Sequence, residues 1–171
     1  TISSSMSKAT IVLIHKLGKE TDKCSSYGPM ELLNVDVKIY TKILAMRLES
    51  IMPYLIHPDQ AGFMAHRQTH DNIRRVLHLI KKAQKKSVPI IVISLDAEKA
   101  FDLVDWEFLL QVMKKMGFGP HFTPLVMAGY HPPTFCILVN GTLSLPIQLS
   151  RDTCQGCPLS PLLFALSIEP F

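Results

Sequence analysis

A chain of 171 residues suffices for one domain or for part of a larger one, since domains commonly run from roughly 100 to 200 residues. With 47% apolar and only 19% charged residues it is no disordered tail, and a mean hydropathy of +0.21 is high for a free-standing domain, so some apolar surface is expected to pack against protein outside this chain. The net charge of +4 permits a phosphate-rich partner without demonstrating one, and no apolar run approaches the roughly 20 residues of a bilayer span.

The opening, TISSSMSKAT, has neither a basic n-region nor an apolar h-region. It is therefore not read as a secretory signal, and the four cysteines are expected to be reduced thiols in an intracellular protein, nuclear or cytoplasmic and not secreted. The chain opens without Met and closes at Phe171 straight after an apolar, helix-like run, which reads as an excerpt of a longer frame.

Along the chain, residues 10–15 alternate and are rich in β-branched types, and Gly18 follows, so a strand entering a hairpin is predicted. Val37, Tyr40, Ile43, Leu44, Leu48 and Ile51 recur at helical spacing over 36–51, with Asn34 or Asp36 as cap and Pro53 as stop. Residues 57–68, containing Pro58 and Gly62, read as an extended loop. The spacing then predicts a helix over 71–86, with Ile73, Val76, Leu77 and Ile80 on one face and Arg74, Arg75, Lys81, Lys82, Lys85 and Lys86 on the other. A charge run of this kind is usually a solvated face, and a role against a nucleic-acid backbone depends on the motifs around it.

Residues 89–95 form a β-branched run of the buried-strand type that ends at Asp96. Asp105 is placed to cap a helix that runs through Met116 and stops at Gly117. Two strands, 134–140 and 143–149, meet at Asn140-Gly141, a strong short hairpin signal. The same residues with Thr142 spell a glycosylation acceptor, but without a secretory signal the hairpin reading prevails. Residues 158–168 close the chain as an apolar helix with Pro at its start. No repeat and no low-complexity segment interrupts this order, which is strand, helix, helix, strand, helix, hairpin, helix. It indicates an α+β layer rather than a doubly wound sheet.

Three stretches could carry chemistry. In SLDAEKAFDLVDW (94–106), Asp96 would stand where a buried strand runs out, its backbone held by the sheet and its carboxylate facing a cleft, an arrangement suited to holding Mg²⁺ against phosphates. Taken alone, such an Asp is more often a turn residue. In RDTCQGCPLSPLLFALSIEPF (151–171), Gln155-Gly156 puts a flexible backbone and an amide at the mouth of a helix, where a phosphate, sugar or base edge could be held. Cys154 and Cys157 form a CxxC, yet no second ligand pair stands at a metal-site spacing. Near the amino terminus, Lys16 and Lys19 flank the predicted hairpin turn, where ammonium groups can reach a triphosphate. The seven histidines are scattered and suggest packing or surface roles.

These blocks, in this order, resemble LINE-type (non-LTR retrotransposon) reverse transcriptase over nearly the whole chain. The matching runs are SMSKATIVLI, the Gly18-Lys19 turn, LLNVDVKI with KILAMRL, HPDQAGF with Arg67 and Asp71-Asn72-Ile73, SLDAEKAFD, and QGCPLSPLLF. The resemblance implies an α+β, partial right-hand polymerase with a fingers-like region over 1–88 and a partial palm over 89–171. It implies that Asp96 is a catalytic, Mg²⁺-binding aspartate, that the Ala97 backbone carbonyl serves the second Mg²⁺, and that Phe101 lies beneath the deoxyribose and excludes a 2′-hydroxyl. Gln155 and Gly156 would line the incoming nucleotide, and Lys16 would contact its triphosphate. Arg67, Arg74, Arg75, Lys81, Lys82, Lys85 and Lys86 would meet nucleic acid. The implied reaction is attack of a primer 3′-hydroxyl on the α-phosphate with metal assistance, on an RNA template with a DNA primer and deoxynucleoside triphosphates. No membrane and no obligate protein partner is implied.

Departures accompany the matches. Where the family reads Tyr-Arg-Pro, this chain has Tyr27-Gly28-Pro29; where it reads Arg-Gln-Gly, it has Cys154-Gln155-Gly156; and His66 replaces the usual Gly before Arg67. The family's paired-aspartate motif would lie beyond Phe171, so this chain alone is expected to be inactive. Two other readings stay open. One is a nucleic-acid-binding module without catalysis that uses the 74–86 face. The other is an unrelated phosphotransferase with Asp96 as nucleophile, which would want a second Asp where Glu98 stands.

Overall fold

A computed structural model of the chain describes residues 8–130, 134–148, 151 and 156–169. Strand β1 (Lys8–His15) lies inside a mixed sheet, antiparallel to β2 (Tyr27–Leu32) on one side and parallel to β3 (Thr134–Val139) on the other. The predicted first strand and turn are present: Gly18 takes φ +77°, and the Lys16 N–H donates to the Ser26 carbonyl at 2.8 Å, closing the loop. Because Ile11 stands opposite both Glu31 and Ile137, and Ala9 opposite Phe135, the alternation puts Ala9, Ile11 and Phe135 on one buried face. On the other face Ile14, Met30 and Leu32 remain exposed.

The Asn140-Gly141 turn joins β3 to β4 (Thr142–Leu143), with φ of 50° and 78° at its two residues, as a two-residue hairpin of the primed type requires. The returning strand is broken, against the expectation of one run over 143–149. β4 faces Leu138 and Val139, whereas β5 (Ile147–Gln148) faces Phe135 and Thr134 with the register slipped by one residue. The slip falls at Ser144–Pro146. Pro146 cannot donate to the ladder, and at the break the Ser144 hydroxyl, rather than a ladder carbonyl, accepts the Ile137 N–H at 2.9 Å. Leu149 lies outside the described residues.

Helix α1 (Val35–Glu49) starts as expected, the Asn34 side chain accepting the Asp36 N–H at 2.9 Å. It buries Val37, Leu44, Ala45 and Leu48, and Thr41, whose hydroxyl donates to the Val37 carbonyl at 2.8 Å. Pro53 does not stop α1; it occupies the first turn of a separate short helix, α2 (Met52–Leu55), a position where its missing N–H is no loss. Helix α3 (Thr69–Lys86) and helix α4 (Trp106–Lys115) follow. Asp105 caps α4 by accepting the Phe108 N–H at 3.0 Å, and Gly117, at φ +85°, lies just past its end.

Helix α5 (Phe122–Tyr130) has no counterpart in the elements read from the sequence, and it contains both Pro124 and Gly129. Pro124 lies in its first turn, where no intrahelical donor is needed. Gly129 lets α5 approach α1: a Cβ there would meet Thr41 Cγ2 at 3.2 Å. The Tyr40 hydroxyl donates to the Leu125 carbonyl at 2.8 Å across the same contact, and burial raises its phenol above the usual range. Helix α6 (Ser160–Ile168) begins two residues later than predicted, with Pro161 rather than Pro158 in its first turn. It is apolar all round and accordingly central, burying Leu162, Leu163, Ala165 and Leu166 among α1, α4 and the sheet's buried face.

The expected strand over 89–95 does not form. Residues 88–97 belong to no sheet, and Ile91, Ile93 and Leu95 are 86%, 74% and 90% exposed. Asp96 is therefore not at the end of a buried strand, contrary to the pattern of the run before it. The physical reason is that a strand needs a ladder partner: the sheet described here ends at β2 on one side and at β4 and β5 on the other, and 88–97 pairs with none of them. Helix α3 likewise buries no residue, and Ile73, Val76 and Leu77 stand in solvent. The apolar excess noted in the composition is thus concentrated along 73–95.

Candidate functional site

Asp96 and Ala97 sit at the end of the irregular 88–97 segment, both exposed. The turn that follows is held from its far end: Val104 is buried, Asp105 caps α4, and the Asp105 carboxylate pairs with Arg151 at 3.5 Å. Within this turn Lys99 takes φ 50° and Phe101 points into the protein. The Phe101 ring stacks on Phe164 of α6 at 4.6 Å with an interplanar angle of 25°. Phe63, from the loop before α3, meets both rings edge-on, at 5.5 Å from Phe101 and 6.1 Å from Phe164. Beside this trio lies a groove of about 560 Å³ walled by Ala97, Glu98, Val104, Phe108, Phe164 and Ser167.

Among the described residues no three His, Cys, Asp or Glu side chains come together as a group that could hold a metal. Asp96 offers one carboxylate and Ala97 one carbonyl, so the residues described here do not by themselves make a Mg²⁺ site.

Gly156 runs alongside β2: at φ +89° it takes a conformation that favours glycine, and a Cβ there would lie 3.8 Å from the Glu31 carbonyl oxygen. It is followed by buried Cys157 and by the start of α6. Gln155 and Cys154 lie outside the described residues. Beside Gly156, Glu31 is buried, and its Oε2 has no hydrogen-bond partner among the described residues. The sequence alone did not single out Glu31; only the register opposite Ile11 puts it on the inner face.

Lys16 is exposed at the end of β1 and its ammonium donates to the Ser25 carbonyl of its own loop at 3.2 Å. Gly28, where the resemblance expects Arg, lies across from Ile14, and a Cβ there would sit 4.0 Å from Lys16 Cε, which is ordinary contact.

The basic residues before and along α3 divide into two groups. The Arg67 guanidinium donates to three backbone carbonyls of the preceding loop, His57 at 2.6 Å, Gln60 at 2.9 Å and Ile56 at 3.1 Å. Arg75 pairs with Asp59, and Arg74 stands 3.9 Å from Asp71. Lys81, Lys82, Lys85 and Lys86, in the last two turns, have no ion pair among the described residues. Lys85 and Lys86, in the last turn, also complement the helix dipole, so their presence does not require a ligand.

Comparison with known proteins locates this arrangement. The profile of the family described as "Reverse transcriptase (RNA-dependent DNA polymerase)" matches residues 14–171. The Xenopus laevis "Transposon TX1 uncharacterized 149 kDa protein" is 34% identical over 164 residues, covering 96% of this chain and 12% of its own length. From Drosophila melanogaster, the probable RNA-directed DNA polymerase from transposon BS is 30% identical over 92% of this chain and 18% of its own length. The RNA-directed DNA polymerase from mobile element jockey is 29% identical over 92% of this chain and 17% of its own length. The chain thus spans less than a fifth of each of these relatives.

Proposed function

We propose, from the premise that this chain belongs to the reverse transcriptase (RNA-dependent DNA polymerase) family in its LINE-type, non-LTR branch, that it forms the part of such a polymerase that binds and selects the incoming nucleotide. The observation that carries this reading is the stacking of Phe101 on Phe164. It joins the SLDAEKAFD block to the helix that follows Gln155-Gly156, two blocks far apart in sequence that a nucleotide pocket would need side by side.

In this reading Phe101 lies beneath the deoxyribose and blocks a 2′-hydroxyl, Gln155 and Gly156 line the base and sugar, and Lys16 meets the triphosphate once its ammonium leaves the Ser25 carbonyl. Asp96 is the catalytic carboxylate and would contribute, with the Ala97 carbonyl, one side of a Mg²⁺ site that further carboxylates must complete. The lysines of α3 track the template strand, and Arg67, Arg74 and Arg75 build the loop and helix that carry them. Residues 1–88 correspond to fingers and 89–171 to part of the palm, although one sheet draws strands from both. The substrates would be an RNA template, a DNA primer and deoxynucleoside triphosphates. The phosphotransferase reading is dropped, since family membership accounts for the same Asp96.

Primer extension tests this reading. The 171-residue chain alone, given Mg²⁺, a primed RNA template and all four deoxynucleotides, is expected to extend nothing, because a metal site needs carboxylates on both sides. A longer frame that carries the chain should extend the primer and lose that activity on Asp96→Asn. Extension by the chain alone, or full activity in the Asp96→Asn frame, would overturn the assignment.

A further inference from the structure

We propose that the loop over 56–68 is a strap that orients Phe101, with Phe63 as a positioning residue and Arg67 as its lock. The proposal rests on the reading of Phe101 as the ring that selects the sugar. Two residues of the strap, Phe63 and His66, take φ of 61°, a left-handed backbone that bulky side chains rarely adopt. Such conformations persist only where the surroundings over-determine them.

Those surroundings are explicit. Arg67 gathers the carbonyls of Ile56, His57 and Gln60 onto one guanidinium, which folds the first part of the strap back on itself. Asp59 is tied to α3 twice, by its ion pair with Arg75 and by the Asn72 side-chain amide donating to its carbonyl at 2.6 Å. The His57 N–H donates to the Glu169 carboxylate at 3.0 Å, just beyond the end of α6. The strap is thus anchored both to α3 and to the helix that carries Phe164.

What these ties deliver is the Phe63 ring, edge-on to Phe101 and Phe164 at once. Burial does not explain its place, because Phe63 is 48% exposed. Edge-to-face contact does: it is directional, and it sets the Phe63 ring against both members of the stacked pair, at 86° to Phe101 and 90° to Phe164. A space-filling role would be met equally by Leu, whereas an orienting role requires an aromatic ring.

The test follows the Phe101 ring directly, in the whole 171-residue chain, with 4-fluorophenylalanine placed at position 101 and read by fluorine NMR. The parent is expected to give one resonance displaced from its unfolded position by the neighbouring rings. Phe63→Leu should move it toward the unfolded position or broaden it with little change in the circular-dichroism spectrum, and Phe63→Tyr should restore the parent signal. Arg67→Lys should act in the same direction as Phe63→Leu and add nothing to it in the double variant. Should Arg67→Lys unfold the chain, Asn72→Ala loosens the strap without touching the guanidinium and is expected to shift the resonance likewise. A Phe63→Leu resonance that stays at the parent position, or a Tyr variant that behaves as Leu does, would overturn the proposal. The sugar-selecting role of Phe101 is read separately, as ribonucleotide incorporation by a longer, active frame: Phe101→Val should raise it by about tenfold or more, the scale of a small steric change in a pocket. If that ratio does not move while the fluorine signal does, the reading of Phe101 fails and the strap stands.

Discussion

The sheet with α1, α4, α5 and α6 and the stretch from α3 through residue 97 both carry patterned apolar residues and have opposite fates. In the first, one face of each element meets another: Phe135 and Ile11 from the sheet, Leu48 from α1, Leu109 and Met113 from α4 and Leu163 from α6 share one core, although the far face of the sheet stays exposed. In the second, an amphipathic helix buries nothing, and the β-branched run 89–95 lies exposed and without regular structure. The difference teaches that pattern supplies only half of a secondary-structure element. A helix closes its hydrogen bonds within its own segment, whereas a strand takes its partners from another strand. α3 therefore exists unpacked, and 89–95 does not become a strand at all.

Hydrogen exchange offers the sharpest way to break this contrast. Amides of β1 and β3 that bond across the ladder should be protected by several orders of magnitude, approaching global unfolding, while those of residues 90–95 exchange close to the unprotected rate. Equal protection in the two segments would mean that 89–95 is paired after all. Next in size is a pair of truncations. Leu163→Ala, at a site with no exposure, should destabilise the fold by about 2–5 kcal/mol, and Ile91→Ala by no more than about 0.5 kcal/mol, both read from urea denaturation.

The charged side of α3 sharpens the comparison at a smaller scale. If Lys81, Lys82, Lys85 and Lys86 track a template, the chain should bind generic RNA weakly, and changing all four to Gln should flatten the salt dependence by up to roughly 3 units of log–log slope, about 0.7 for each neutralised single-strand phosphate. Filter binding across a salt series with a folded quadruple variant reads this directly, and identical curves for parent and variant would leave these lysines as a solvated face. The smallest expected effect is at the helix starts: Asn34→Ala should cost about 1 kcal/mol, as should Asp105→Ala, because each removes an acceptor from a first-turn N–H. A much larger loss at Asp105 would show that its pairing with Arg151 also holds the Phe101 turn.

Much of the fold was legible because the signals are local. Asn34 and Asp105 cap where side-chain chemistry says they should, and Asn140-Gly141 turns where two left-handed residues are needed. Elsewhere the local signal was ambiguous. Pro53 looks like a breaker until the first turn of a helix is recognised as a place that tolerates it, as Pro124 and Pro161 also show. Among the candidate site residues, the side-chain types of Asp96, Phe101 and Lys16 were readable. That Arg67 is occupied with three carbonyls was not, since a guanidinium's partners come from the loop's path rather than from its composition.

By itself the sequence determined the helices that cap and close themselves, the hairpin, the family and the amino-acid types at the candidate site. The tertiary structure decided what depends on a second surface: that β1 lies parallel to β3 across more than a hundred intervening residues, that Phe63 reaches Phe101 and Phe164, that Glu31 faces inward beside Gly156, and that 89–95 remains without a ladder. Local propensity acts over a few residues, while hydrogen-bond ladders and ring contacts between distant segments form only where the packed chain brings both partners to the same place.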